Sequence, residues 1–148
     1  MKPILDGIRL VLIDLDGTLV DTVPDLALAT DKMMQDLGRK PYGEEKIRQW
    51  IGNGAPRLVK RALTNTMNGE PDEALYARAY PIFEHYYSKH VCDRSVLYPG
   101  VLEGLNGLEK KGFRLGCVTN KPEQYTLPLL QKLEIKHYFE IILSGDSL

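Results

Sequence analysis

The run Ile8-Arg9-Leu10-Val11-Leu12-Ile13 leads straight into Asp14-Leu15-Asp16-Gly17-Thr18-Leu19-Val20-Asp21-Thr22, and this stretch constrains the chain more than any other. Six residues, apolar but for Arg9, predict a strand buried on both faces. Side chains at i and i+2 of a strand point the same way, so Asp14 and Asp16 can converge on one cleft. Gly17 lets the chain leave the strand sharply, and Thr18 adds a hydroxyl near the turn. Two carboxylates at a strand end can bind a hard cation, supply a nucleophile and supply an acid or base. Phosphoryl transfer uses all three.

The pattern beyond this strand is helical for about seventy residues. Pro24-Asp25 opens a helix with a fixed φ and an early negative charge, and Leu26, Ala29, Met33, Met34 and Leu37 mark its buried face before Gly38. Short helices are expected over 44–50 and 55–66, separated by the glycine-rich loop Ile51-Gly52-Asn53-Gly54. The longest pattern covers 71–90, and Pro81 inside it predicts a kink or a break. After Tyr98-Pro99-Gly100 the chain reads helix (101–111), strand (113–118), helix (122–133), strand (140–143). Alternating elements predict an α/β fold with a Rossmann-like parallel sheet of three strands. The helical stretch is too long for one crossover and reads as an inserted all-helical cap. The expected division is therefore 1–20 with 99–148 as the core and 21–98 as the cap.

Composition narrows the classes of function. The chain has 148 residues and a net charge of −1, so nothing suggests bulk attraction to nucleic acid or an anionic membrane. No apolar run approaches the ~20 residues of a membrane helix. Pro3, Asp6 and Gly7 interrupt the N-terminus, which does not read as a signal peptide. Cys92 and Cys117 are expected as free, reduced thiols of a cytoplasmic protein. Cys117 sits in an apolar strand, where a thiol is a poor nucleophile.

A second constellation repeats the logic of the first. In Arg114-Leu115-Gly116-Cys117-Val118-Thr119-Asn120-Lys121-Pro122 a strand ends in a hydroxyl and an amide where a helix begins. Backbone N–H groups and Thr119 can hold a phosphate oxygen, and Lys121 can add charge. Alone, Thr-Asn before a helix reads as capping. Paired with Asp14 and Asp16 it gains weight, because neighbouring parallel strands end on one edge, where α/β ligands bind.

These two motifs resemble the first and second signatures of the haloacid dehalogenase superfamily. The similarity extends to its phosphoglycolate phosphatases through Ile51-Gly52-Asn53-Gly54-Ala55, Arg61-Ala62-Leu63, Tyr86-Tyr87, Tyr98-Pro99-Gly100 and Ser144-Gly145-Asp146. The resemblance implies Mg²⁺-dependent hydrolysis of a small phosphate monoester, 2-phosphoglycolate above all. Asp14 would be the nucleophile, forming an aspartyl-phosphate. Asp16 would protonate the leaving alkoxide and then activate water. Mg²⁺ would bind the Asp14 carboxylate and the Asp16 backbone carbonyl, and Thr119 and Asn120 would hold phosphoryl oxygens. Asp16 argues against the dehalogenase branch, since displaced halide needs no proton. The superfamily also carries a later Lys, later acidic residues and further C-terminal strands of the core, which the resemblance places beyond Leu148, so the core here is expected to be incomplete and the chain to be the front part of a longer enzyme. Lys121 is an alternative source of that positive charge. Leu143-Ser144-Gly145-Asp146 mimics the later acidic motif but follows the second too closely.

Plainer readings stand beside several of these residues. Asp21 and Asp25 read as helix-start charges rather than metal ligands. Asn53-Gly54 is an ordinary turn pair or a substrate-contacting loop of the cap. Arg57 is a solvated helix residue or the partner of a substrate carboxylate. His85, His90 and His137 lack metal-ligand spacing, and Trp50, Tyr86 and Tyr87 read as cap core. The rival functions are a phosphosugar phosphatase or mutase of the same superfamily, and an inactive phosphate-binding or interaction protein. An exposed edge at Ile8–Ile13 would also leave association between copies open.

Overall fold

The computed structural model describes residues 6–147. Its centre is a three-stranded parallel sheet of β1 (Leu10–Ile13), β4 (Arg114–Val118) and β5 (Ile141–Leu143), in the order β1-β4-β5. Leu12 lies opposite Gly116, Ile13 opposite Cys117, and Cys117 opposite Ile142. Alternation divides the sheet into two faces. Val11, Ile13, Leu115, Cys117 and Ile142 belong to or pack against the hydrophobic core. Leu12, 56% exposed, and Val118, 37% exposed, lie on the other face. This corrects the expectation that the first strand is buried on both sides. Among the described residues it has one covered face and stands at the edge of the sheet, in line with the exposed edge expected at Ile8–Ile13. Leu12 folds its side chain over Gly116, and a Cβ there would displace the end of that exposed side chain.

Between β1 and β4 come β2 (Val20–Asp21), α1 (Val23–Asp36), α2 (Glu44–Arg48), α3 (Ala55–Thr64), α4 (Glu73–Lys89), β3 (Val96–Leu97) and α5 (Val101–Lys110). A final helix, α6 (Glu123–Lys132), links β4 to β5. Each helix follows its sequence signals. Pro24 lies in the first turn of α1, whose buried stripe includes Val23, Leu26, Ala29, Thr30 and Met33. Gly38, at φ +73°, lets the Gly38 and Arg39 N–H groups turn back onto the Gln35 and Met34 carbonyls. Asp72 caps α4 by accepting the Leu75 N–H.

Two features depart from the expected pattern. First, α4 runs unbroken through Pro81. A proline there removes one helical hydrogen bond, but α4 packs along α1, and its rings Tyr76, Tyr80, Phe83 and Tyr87 stack in succession along the helix. Tertiary packing outweighs the local defect. Second, the helical stretch is entered and left through a two-stranded ribbon. Val20 pairs with Leu97 and Asp21 with Val96, antiparallel, and the Tyr98 N–H donates to the Leu19 carbonyl. Two-residue strands leave no periodicity to read in the sequence.

Candidate active site

The first motif is shaped by its backbone. Gly17, at φ +78°, turns the chain so that the Thr18, Leu19 and Val20 N–H groups all meet the Leu15 carbonyl. Leu15 is fully buried and anchors the turn. Asp14, just past the end of β1, stays exposed. Its Oδ1 accepts the Leu15 N–H at 2.8 Å, which fixes the carboxylate, and its other oxygen has no hydrogen-bond partner among the described residues. Asp16 points inward and receives Lys121 Nζ at 3.2 and 3.3 Å on its two oxygens.

The second motif meets the first on the same sheet edge. The Thr119 N–H donates to the Leu143 carbonyl, extending the β4–β5 ladder, while Thr119 Oγ1 accepts the Lys121 N–H at 3.1 Å. The Lys121 carbonyl accepts from Gly145 N–H and Thr126 Oγ1. Lys121 is therefore held at its backbone and buried along its side chain. Its ammonium lies between Asp16 and the face of Tyr87, 4.7 Å from that ring's centre. Burial and the nearby Asp16 raise the Tyr87 hydroxyl well above its ordinary range. Burial, then Asp14 and Asp16, pushes the Cys117 thiol up to about 12, so Cys117 is no nucleophile.

The helical segment closes over these groups. Leu26, Ile51, Gly52, Gly54, Ala55 and Leu58 line a narrow cleft with Asp16 and Lys121. The Asn120 side chain donates to the Gly52 carbonyl at 3.1 Å, so Asn120 meets the loop that follows Trp50. Gly54 and Gly145 both back onto the Asn120 carbonyl, where neither has space for a side chain.

The other singled-out residues are placed as follows. Asn53 offers its Oδ1 to Arg61 at 2.9 Å, and Arg57 bonds Glu70 Oε1 at 2.7 Å and the Met67 carbonyl; neither lines the cleft. Asp21 accepts the Val23 N–H at the start of α1 and pairs with Arg48. Asp146 accepts the Glu123 N–H at the start of α6, so it caps that helix. Asp25 lies in the first turn of α1, as expected of a helix-start charge, and has a second role there. It is fully buried and accepts the N–H groups of Arg94 and Ser95 and the Ser95 hydroxyl. Asp25 and Arg61 share one sequence signal: each sits in phase with the apolar stripe of its helix, beside Leu26 and Ala29 and beside Leu58 and Ala62.

Among the described residues no three His, Cys, Asp or Glu side chains gather as a metal site. The donors present are two carboxylates and adjoining carbonyls. That set suits Mg²⁺, which keeps most of its waters and binds through one or two carboxylates and substrate phosphate.

Comparison with known proteins finds relatives over nearly the whole chain. The phosphoglycolate phosphatase of Nitrosococcus oceani is 57% identical over 140 residues, covering 95% of this chain and 62% of the relative. That of Thiobacillus denitrificans is 50% identical over 148 residues, covering all of this chain and 65% of its own length. The chain thus spans just under two thirds of these relatives. A crystal structure described as a predicted phosphoglycolate phosphatase from Haemophilus somnus superposes with a TM-score of 0.86 at 38% identity, covering 95% of this chain and 64% of that one. The family described as haloacid dehalogenase-like hydrolase matches residues 11–148, and the chain belongs to it.

Proposed function

We propose that the protein hydrolyses a small phosphate monoester, 2-phosphoglycolate, to the alcohol and phosphate through an aspartyl-phosphate on Asp14. The observation that carries this reading is the pairing at one sheet edge of an exposed carboxylate with a free oxygen, Asp14, and an ion-paired carboxylate, Asp16. The names of the relatives support the substrate.

The free oxygen of Asp14 attacks phosphorus, and the bond from phosphorus to the leaving oxygen breaks. Asp16, released from Lys121 as the entering phosphate dianion takes that ammonium, acts in its protonated form and gives its proton to that oxygen. Water then attacks the phosphorus of the aspartyl-phosphate, Asp16 takes the water's proton, and phosphate leaves with Asp14 restored. Thr119 and Asn120 stand at the strand end where phosphoryl oxygens would lie, and an entering phosphate dianion competes with Asp16 for the Lys121 ammonium. Mg²⁺, held by the Asp14 carboxylate and the Asp16 backbone carbonyl, would neutralise phosphoryl charge when bound. The cleft measures about 10 Å³, barely room for one water. The helical segment therefore acts as a cap that must open to admit an ester.

Acid-quenched single turnover with labelled 2-phosphoglycolate tests the mechanism. Label should stay on the protein and vanish in Asp14→Asn, and chelation should stop turnover. Turnover without any label on the protein would overturn the covalent route.

A further inference from the structure

The loop that closes the cleft has little conformational preference of its own. Gly52 and Gly54 both hold positive φ, +118° and +85°, and glycine adopts such angles at no steric cost but with much freedom to lose. Yet this loop makes the contacts that shape the site. Ile51 reaches toward Gly17, the Gly52 carbonyl receives Asn120, and Gly54 lies against the Asn120 carbonyl. Something outside the loop must impose its shape.

Arg61 does so from behind. It sits on α3 with 6% of its surface exposed. Its guanidinium donates from Nη1 to the Trp50 carbonyl at 2.6 Å, from Nη2 to Asn53 Oδ1 at 2.9 Å and from Nε to the Met67 carbonyl at 2.8 Å. The first two acceptors bracket Ile51-Gly52, and the third ties α3 to the chain that follows it. A planar fork with fixed donor directions suits this task, whereas a lysine could reach only part of it. Each bond is charge-assisted, and the one to Trp50 is buried while the other two are partly shielded, so together they restrain the loop more than surface contacts would. Asn53 thus belongs to the support of the loop.

We propose that Arg61 is a positioning residue that sets the conformation of the Ile51–Gly54 loop and thereby selects which ester leaving groups the cleft accepts. This rests on the phosphatase reading above. The walls that the loop supplies are Ile51, Gly52 and Gly54, beside Leu26, Ala55 and Leu58. They offer apolar surface and backbone groups, and their spacing is what a leaving group senses. A held loop favours a small leaving group. A loosened loop loses that preference and leaves the chemistry at Asp14 untouched.

Trp50, the only tryptophan in the chain, is 2% exposed and is a built-in reporter of the loop. The test uses Arg61→Met, Arg61→Lys and Asn53→Ala in the full chain. Acrylamide quenching of Trp50 and steady-state kinetics on 2-phosphoglycolate and p-nitrophenyl phosphate are the readouts. In Arg61→Met, quenching should rise, and KM for 2-phosphoglycolate should rise roughly tenfold, the scale of one lost charge-assisted hydrogen bond. Its kcat and the constants for p-nitrophenyl phosphate should move far less. Arg61→Lys should fall between, and Asn53→Ala should show the same pattern more weakly. If Arg61→Met does not fold, Asn53→Ala decides. Unchanged quenching, or raised quenching with unchanged selectivity, would overturn the proposal. Absence of turnover in the unmodified protein would defeat the phosphatase reading instead, and quenching would still report whether Arg61 holds the loop.

Discussion

Asp14→Asn keeps an oxygen for the Leu15 N–H, so circular dichroism should stay native while turnover falls by several orders of magnitude. Asp16→Asn should cost at least ~10²-fold with poor leaving groups and less with p-nitrophenol, which leaves without a proton. An equal loss for both would remove Asp16 as the acid. Lys121→Met strands Asp16 without its counter-charge. The two side chains are 3% and 14% exposed, so urea denaturation should show a loss near the lower end of the ~3–5 kcal/mol seen when one partner of a buried pair is removed. The Asp14-x-Asp16 spacing was legible at the end of an apolar run, although both residues lie just past β1, in the turn that Gly17 makes, where strand alternation no longer fixes where their side chains go. The partners of Lys121 were not legible. Its ammonium meets a carboxylate from position 16 and a ring from position 87, and no local pattern relates those three positions.

Helices and parallel strands were legible because each carries a repeating apolar signal, and Pro24, Gly38 and Gly112 punctuate it. The β2–β3 ribbon and the clamp above it were not, since both depend on residues some seventy positions apart. Asp25 joins α1 to Arg94 and Ser95 beside that ribbon, where the helical segment returns to the sheet. Asp25→Ala removes the acceptor for two backbone N–H groups and one hydroxyl. Each buried donor left unpaired costs ~1–3 kcal/mol. The variant should unfold at clearly lower urea, and limited proteolysis should cut first within 92–98. Asp25→Asn keeps one acceptor oxygen and should lie between the two. Cleavage unchanged in both variants would mean that the ribbon alone holds this connection. At Pro81 the balance runs the other way. The ring is exposed and the helix continues through it, so Pro81→Ala should restore a hydrogen bond to the Ala77 carbonyl and raise the melting temperature.

At the scale of the whole molecule the sheet decides behaviour. The expected α/β order is present, but β1 stands at an edge of the described sheet, and Leu12 and Val118 lie on its open face. An apolar edge with unpaired backbone groups recruits other strands. Covering a large apolar side chain is worth ~1.5–3 kcal/mol, a substantial share of the ~5–15 kcal/mol that holds a domain together. Two or three such side chains therefore give association a strong drive at ordinary protein concentrations. The 148-residue chain produced by itself should scatter light as dimers or larger species. Leu12→Lys places a charge in the middle of the open face and should shift it toward monomer, with far-UV circular dichroism unchanged, because Leu12 contributes little to the covered core. The shift should be larger at low ionic strength, where like charges on approaching edges repel over a longer range. A clean monomer before substitution would show that the edge is shielded, and the phosphatase assay on that monomer would then report the site as this chain alone assembles it.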